Sequence, residues 1–194
     1  MPDPVPLKQA LRELAIGQRM LMPRALRRHY SRLIIDRLRH EILEKRISHV
    51  MTLLTYIALP HEVDTHSILT WNGWRIFAPR MHGHERMDWH CIGPETSWKK
   101  SPWNILEPQN GPCWSPDDGG ILICPLTAFD RQGNRLGMGK GCFDIWLGQH
   151  RSHLRAIIGL AYACQEVPSI PTEPHDVPMD FVITEKETIA TCPN

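Results

Sequence analysis

Leu7, Leu11 and Leu14 recur at helical spacing after a proline-rich start, and Pro23 closes or restarts the pattern, which predicts a first amphipathic helix. Leu26, Tyr30, Ile34, Leu38 and Ile42 form a second stripe, predicting a helix whose business is packing. From Ile47 the period changes: "ISHVMTLLTYIAL" is dense in β-branched and apolar residues and ends at Pro60, as a buried strand of a parallel sheet would. Thr65 is placed to cap a short helix through Trp71, Gly73 to end it and "WRIFAP" to supply the next strand, making one βαβ unit. Residues 80–120 hold many Gly, Pro and Trp with little periodicity, so a β-rich excursion with long loops is expected.

A second unit follows. "ILICPLTAF" from Ile121 reads as a strand, Phe143 to about Leu154 as a helix, "RAIIGLAY" as another strand, and Phe181 to Ile183 as a last short one. Strand and helix are joined through "RLGMGKGCFD", in which Gly137, Gly139 and Gly141 alternate around Met138 and Lys140. Glycine lets a backbone turn through positive φ and lets its N–H groups approach a ligand. A glycine loop opening a helix also aims unpaired N–H groups at an anion, and Lys140 adds a point charge. The named phosphate motifs do not fit. Walker A spacing puts Asn134 at its first glycine and Gly141 at its hydroxyl, and G-x-G-x-G is not the dinucleotide fingerprint G-x-G-x-x-G. Spacing alone therefore leaves a phosphate site and a structural turn both open. The loop does lie at the carboxyl end of a strand, the edge that ligands favour in open α/β sheets.

Composition narrows the class. With 194 residues, 42% hydrophobic and 22% charged, and neither repeat nor low-complexity linker, the chain is expected to form one domain over residues 1–194. No apolar run approaches the ~20 residues of a membrane span, and the first residues lack signal-peptide order, so a cytoplasmic protein without a membrane partner is expected. Six cysteines without a C-x-x-C pair read as free thiols. "MHGHERMDWHC" offers His82, His84, His90 and Cys91, but at no familiar zinc spacing, and a polar surface hairpin is the preferred reading. Residues 1–46 carry 11 Lys and Arg against 5 Asp and Glu, hence +6, while the remainder is −5. That asymmetry suggests an anionic partner near the N-terminus, where Lys8 and Arg12 share a helix face; long basic stems coating a helix are the alternative. No RNA- or DNA-binding motif accompanies the charge, so nucleic acid is not the expected partner.

Five stretches in register, "YIALPHEVDT", "APR", "WNILEP", "LTAFDRQGNRLGMGKGCFD" and "PTEPHDVPMDFVITE", make the chain resemble 5-formyltetrahydrofolate cyclo-ligase, also called methenyltetrahydrofolate synthetase. The resemblance implies a three-layer, Rossmann-like, mostly parallel sheet with helices on both faces, of the sugar-phosphate isomerase and CoA-transferase group. It implies a monomer that uses ATP and Mg2+ to close 5-formyltetrahydrofolate to 5,10-methenyltetrahydrofolate, releasing ADP and phosphate. Phosphorylation of the formyl oxygen would give an iminophosphate that N10 attacks, so the protein chiefly aligns reactants and stabilises charge.

Motif by motif, the resemblance assigns ATP to Lys8, Arg12, Arg135, Gly137, Met138, Gly139, Lys140, Gly141 and Phe143, with Lys140 and Arg135 as catalytic charges. It assigns the folate to Ile57, Glu62, Trp103, Met138 and Cys142, Glu62 accepting paired N–H bonds from the aminopyrimidine edge and Trp103 packing on the rings. Asp144 and Asp176 are implied for magnesium, although Asp144 could instead cap the following helix and Trp103 could be a core residue. The chain departs from the family pattern G-Y-Y-D-R or G-F-Y-D-R, reading Gly141, Cys142, Phe143, Asp144, Ile145, and is about one turn shorter between Thr65 and Gly73. A relative that binds folate or nucleotide as a regulatory or storage module is the alternative those departures raise.

Overall fold

Alternating side chains in short, wholly buried strands set the layers of the molecule. The computed structural model describes residues 4–83 and 86–191. The chain runs through α1 (Pro4–Leu21), α2 (Arg24–Arg37), β1 (Thr52–Thr55), β2 (Arg75–His82), β3 (Arg86–Cys91), β4 (Trp98–Lys100) and β5 (Leu106–Pro108). It continues through β6 (Ile121–Cys124), β7 (Ala128–Phe129), β8 (Arg135–Leu136), α3 (Cys142–His150), β9 (Ala156–Leu160), β10 (Phe181–Ile183) and β11 (Thr188–Ala190). Among the described residues, seven strands form one sheet in the order β11-β10-β9-β6-β1-β2-β3. Its inner strands are parallel, and β3 and β11 close the two edges as antiparallel partners.

Leu53, Ile76, Ile121, Ile123 and Ile158 point to one face, where α2 covers them with Ile34 and Ile35. Leu54, Phe77, Leu122 and Ile157 point to the other, under Trp146 and Leu147 of α3. Period-two alternation in strands buried on both faces gives this α/β arrangement, as expected for a parallel sheet. α1 packs elsewhere: Ala15 sits with Ala128 and Leu136 of the β7–β8 hairpin and with Val167 and Ile170.

Four expectations shift. The stripe through Ile42 is not one helix, since Leu38–Leu43 form a wider π-turn that turns Leu38, Ile42 and Leu43 all into the core. The strand expected from Ile47 begins only at Thr52, because the residues before it are turns leading out of that π segment. The βαβ crossover after β1 contains a 3-10 turn, His66–Thr70, and no α-helix; Thr65 makes no cap, its hydroxyl donating instead to Tyr56 O at 2.8 Å. The helical cover on that face comes from α2. The expected helix to Leu154 is α3 followed by a 3-10 turn, Arg151–His153. The histidine-rich segment is the β2–β3 hairpin, with His82 Nε2 3.0 Å from Asp88 and His90 Nδ1 3.1 Å from Gly111 O; His84, like Cys192, lies outside the described residues.

Candidate functional site

The carboxyl ends of β1, β2 and β6 open into a cleft of about 380 Å³. After β1 the chain supplies Tyr56, Ile57, Leu59 and Glu62; after β6 it supplies Pro125, Leu126 and Thr127. β2 and β3 contribute Pro79, Met81 and Met87, and the β4–β5 hairpin hangs Trp103, Ile105 and Glu107 over the opening. The glycine loop closes the remaining side with Arg135, Gly137, Met138, Lys140, Gly141, Cys142, Phe143 and Asp144.

Two of the three loop glycines are conformational requirements. Gly139 has φ 90° and Gly141, the N-cap of α3, has φ 67°, values at which a Cβ is strained. Gly141 offers no side-chain cap, and the N-terminus of α3, the positive end of its dipole, opens at the cleft. Arg12 braces the loop from α1, its Nε donating to Gly137 O at 3.0 Å. Lys140 Nζ lies 4.1 Å from the centre of the Trp103 ring, so loop and hairpin meet across the cleft through a cation–π contact.

The hairpin that presents Trp103 is explained by its neighbour. Asn104 takes φ 61°, a left-handed conformation that asparagine tolerates, and its N–H donates to Ser101 O at 2.9 Å. Glu107 on the returning strand is 8% exposed and accepts the Met81 N–H at the edge of β2. Burial pushes its carboxyl pKa up, against the Met81 bond and the Arg80 and His82 charges. Glu107→Gln, which keeps an acceptor there, should cost less than about 1 kcal/mol, and Glu107→Ala about 1–2 kcal/mol by stranding an N–H. Urea unfolding of the two variants checks this; equal losses would refute it.

Glu62 sits in a turn pinned from below. Its Oε2 accepts the Leu59 N–H at 2.9 Å, Tyr56 donates its hydroxyl to Val63 O at 2.9 Å, and the Tyr162 hydroxyl lies 3.1 Å from Glu62 O. Burial raises the Glu62 pKa, opposed by the Leu59 N–H and the Arg19 charge.

The basic residues expected at the phosphates divide. Arg135, its side chain 4% exposed, donates to Asp144 and to Val177 O. Burial raises the Asp144 pKa, and the Arg135 charge counters it while Asp176 adds to it. Lys8 is 8% exposed and donates to Glu173 at 2.7 Å and Asp176 at 3.1 Å. Burial alone would lower the Lys8 pKa, but these two partners outweigh it and the net shift is upward. Lys8, Arg12, Gly139 and Asp176 stand beside the cleft and do not line it. Phe143 turns edge-on to Trp89, with ring centres 6.1 Å apart, while keeping its place in the cleft wall. The Cys142 thiol pKa is pushed up by burial, which disfavours a thiolate. Sequence reading missed Tyr56, Met81, Thr127 and Glu107; of these Tyr56, Thr127 and Glu107 stood in stretches that carry the family resemblance, "YIALPHEVDT", "LTAFDRQGNRLGMGKGCFD" and "WNILEP", and Met81 did not.

A mostly parallel α/β sheet with a glycine loop and an apolar cleft at its carboxyl edge defines a small-molecule-binding protein of the open-sheet class. The chain belongs to the 5-formyltetrahydrofolate cyclo-ligase family, whose profile matches residues 6–185. It is 31% identical over 163 residues to the 5-formyltetrahydrofolate cyclo-ligase of Haemophilus influenzae, covering 80% of this chain and 86% of that one. A probable 5-formyltetrahydrofolate cyclo-ligase of Caenorhabditis elegans is 32% identical over 152 residues, 71% of this chain and 74% of its own. The solved 5,10-methenyltetrahydrofolate synthetase of Aquifex aeolicus superposes with a TM-score of 0.80 at 25% identity, covering 97% of this chain and 94% of that one. A 5,10-methenyltetrahydrofolate synthetase from Mycoplasma pneumoniae shares the fold at TM-score 0.73 and 23% identity, over 92% and 98% of the two chains. Among the described residues no helix is long and apolar enough to cross a membrane.

Proposed function

We propose that the protein cyclises 5-formyltetrahydrofolate to 5,10-methenyltetrahydrofolate, consuming ATP and releasing ADP and phosphate. The observation that carries this reading is the pairing of two unlike walls in one cleft: a glycine loop with Lys140, and an apolar and aromatic wall that ends at a carboxylate, Glu62. The first suits phosphate groups, the second a flat heterocycle with N–H donors at one edge. Lys140 lies where the two would meet.

In this reading the α3 N-terminus and Lys140 bear the triphosphate charge, Arg12 and Arg135 hold the loop that carries them, and Glu62 and Trp103 fix the pterin. Transfer of the γ-phosphoryl group to the formyl oxygen turns a poor leaving group into phosphate, and N10 then closes the ring within the same molecule. Asp144, paired with Arg135, and Asp176, paired with Lys8, carry hard carboxylate oxygens of the kind magnesium takes, and an ion held there would share them with those two cations. Bound there, the ion would neutralise phosphate oxygens. We read the working form as a cytoplasmic monomer without nucleic-acid or membrane partners.

Incubation of the purified chain with 5-formyltetrahydrofolate, ATP and magnesium should yield methenyl absorbance and ADP in equal amounts. Saturable folate binding without product would favour a binding module instead, and neither binding nor product would reject the folate reading.

A further inference from the structure

Met138 is held at both ends. Its backbone stands between Gly137, whose carbonyl accepts the Arg12 Nε at 3.0 Å, and Gly139 at φ 90°. Its Sδ lies 3.5 Å from the Thr127 hydroxyl, which donates to it. Thr127 is a firm base for that contact: it is buried, its N–H donates to Leu136 O at 2.6 Å, and its carbonyl accepts the Gln165 Nε2 at 2.9 Å. Met138 itself is 59% exposed, in the wall of an open cleft. The other two methionines of that wall are less accessible, Met87 being buried and Met81 half-buried. The thioether within reach of a small oxidant is therefore the one inside the glycine loop.

A thioether is a soft, weak acceptor, so beside phosphate oxygens it is close to neutral. Its sulfoxide is polar, with partial negative charge on the oxygen. We propose that Met138 is an oxidation site: a peroxide converts its thioether to the sulfoxide, which Thr127 holds against the glycine loop, where it weakens ATP binding until a reductase restores the thioether. The consequence for ATP rests on the function proposed above. In the forward step the Sδ lone pair takes one oxygen from hydrogen peroxide as the O–O bond breaks and a proton passes to the departing oxygen, so sulfur is oxidised and the peroxide leaves as water. In the reverse step the oxygen leaves as water while a dithiol is oxidised to a disulfide.

The new oxygen competes for donors that a triphosphate needs. The Thr127 hydroxyl already donates toward the sulfur, and a sulfoxide oxygen is the stronger acceptor. Lys140, which shares the loop and rests on the Trp103 ring, is drawn to that oxygen as it is to a phosphate. With the backbone braced by Arg12 and the oxygen held by Thr127, the oxidised side chain keeps its negative end at the loop instead of swinging into solvent.

The test exposes the full chain to hydrogen peroxide, maps methionine oxidation by peptide mass spectrometry and titrates ATP by calorimetry before and after. Oxidation should weaken ATP binding about tenfold, the size of one unfavourable polar contact. Methionine sulfoxide reductases with dithiothreitol should restore it, and dithiothreitol alone, which reverses disulfides and sulfenic acids at Cys142 and elsewhere, should not. Met20 and Met51 are exposed outside the cleft and oxidise in the same sample, so they are the internal control. Met138→Leu, whatever its starting affinity, should keep that affinity through the treatment, and Thr127→Val should shrink the ratio between oxidised and reduced states. The proposal is overturned by a Met138 left intact while Met20 and Met51 are oxidised, by a sulfoxide at Met138 with unchanged ATP affinity, by the same loss in Met138→Leu, by full recovery with dithiothreitol alone, or by an unaltered ratio in Thr127→Val. An untreated chain that binds ATP and forms no methenyl product would overturn the cyclisation reading and leave this test, read through ATP binding, in force; an untreated chain that binds no ATP would overturn both.

Discussion

Lys140→Ala is expected to lower kcat by about 10²–10³-fold while leaving the folate dissociation constant within about twofold. The asymmetry follows from where the ammonium rests. It stands 4.1 Å from the Trp103 ring centre, on an exposed loop residue, and a cation–π contact at such a site is worth only about 0.5–1 kcal/mol. Lys140 can leave that contact for a phosphate at little cost, and a charge that moves toward developing negative charge acts on the transition state more than on the bound substrate. Trp103 keeps its place without it, because the Asn104 turn and the β4–β5 pairing hold the hairpin. Lys140→Arg should retain part of the rate, since it returns the charge in a different shape. Initial rates with folate and ATP varied separately, together with folate titration without ATP, separate the two quantities. An alanine variant with wild-type kcat would remove Lys140 from the chemistry, and equal losses in rate and affinity would make it a binding residue.

What the sequence made legible was local chemistry. The glycine loop could be placed between a strand and a helix because backbone freedom is written in residue type, and Gly139 and Gly141 do adopt positive φ. The strands were legible because Leu53, Leu54 and Ile121 to Cys124 are apolar on both faces. What failed depended on competition between partners. Thr65 carries a good capping side chain, but its hydroxyl donates to Tyr56 O and makes no cap bond, and the expected crossover helix gives way to a single 3-10 turn. Residues 38–43 keep an apolar stripe whose best burial widens the helix, a tertiary effect that a regular period cannot contain.

The cleft itself was legible only in part, and for a similar reason. Glu62 and Trp103 were reached through the family's motifs; spacing alone would have left one an ordinary loop acid and the other a core ring. Glu107 matters because distant segments cross, β5 running beside β2, and Tyr56 because its hydroxyl folds back onto Val63 under the Glu62 turn, which residue type alone does not announce. Lys8 and Arg12 illustrate the converse. Their shared helix face was visible in the sequence, but their partners, an acidic pair at 173 and 176 and a carbonyl at 137, lie more than 120 positions away.

Asp130→Ala is expected to destabilise the protein by about 3–5 kcal/mol, a large share of the roughly 5–15 kcal/mol by which domains are stable. Asp130 is fully buried, and its carboxylate accepts four N–H groups: the backbones of Gln132, Asn134 and Ile170 and the Asn134 side chain, at 2.9–3.0 Å. Alanine would leave all four donors without that acceptor, and a buried donor left unpaired costs about 1–3 kcal/mol, less where the turn relaxes to admit water. Asp130→Asn keeps one acceptor oxygen and should lose roughly half as much. The loss should reach the cleft, because this turn joins β7 to β8, whose Arg135 begins the glycine loop, and the same hairpin carries the Ala128 and Leu136 surface on which Ala15 seats α1. Urea unfolding followed by tryptophan fluorescence measures the first effect, and the ATP KM under fully folded conditions measures the second. A loss below about 1 kcal/mol would mean that the turn finds other acceptors. A full loss with an unchanged ATP KM would mean that the hairpin supports the fold without setting the loop, so the two readouts decide separately whether Asp130 serves stability alone or stability and the site together.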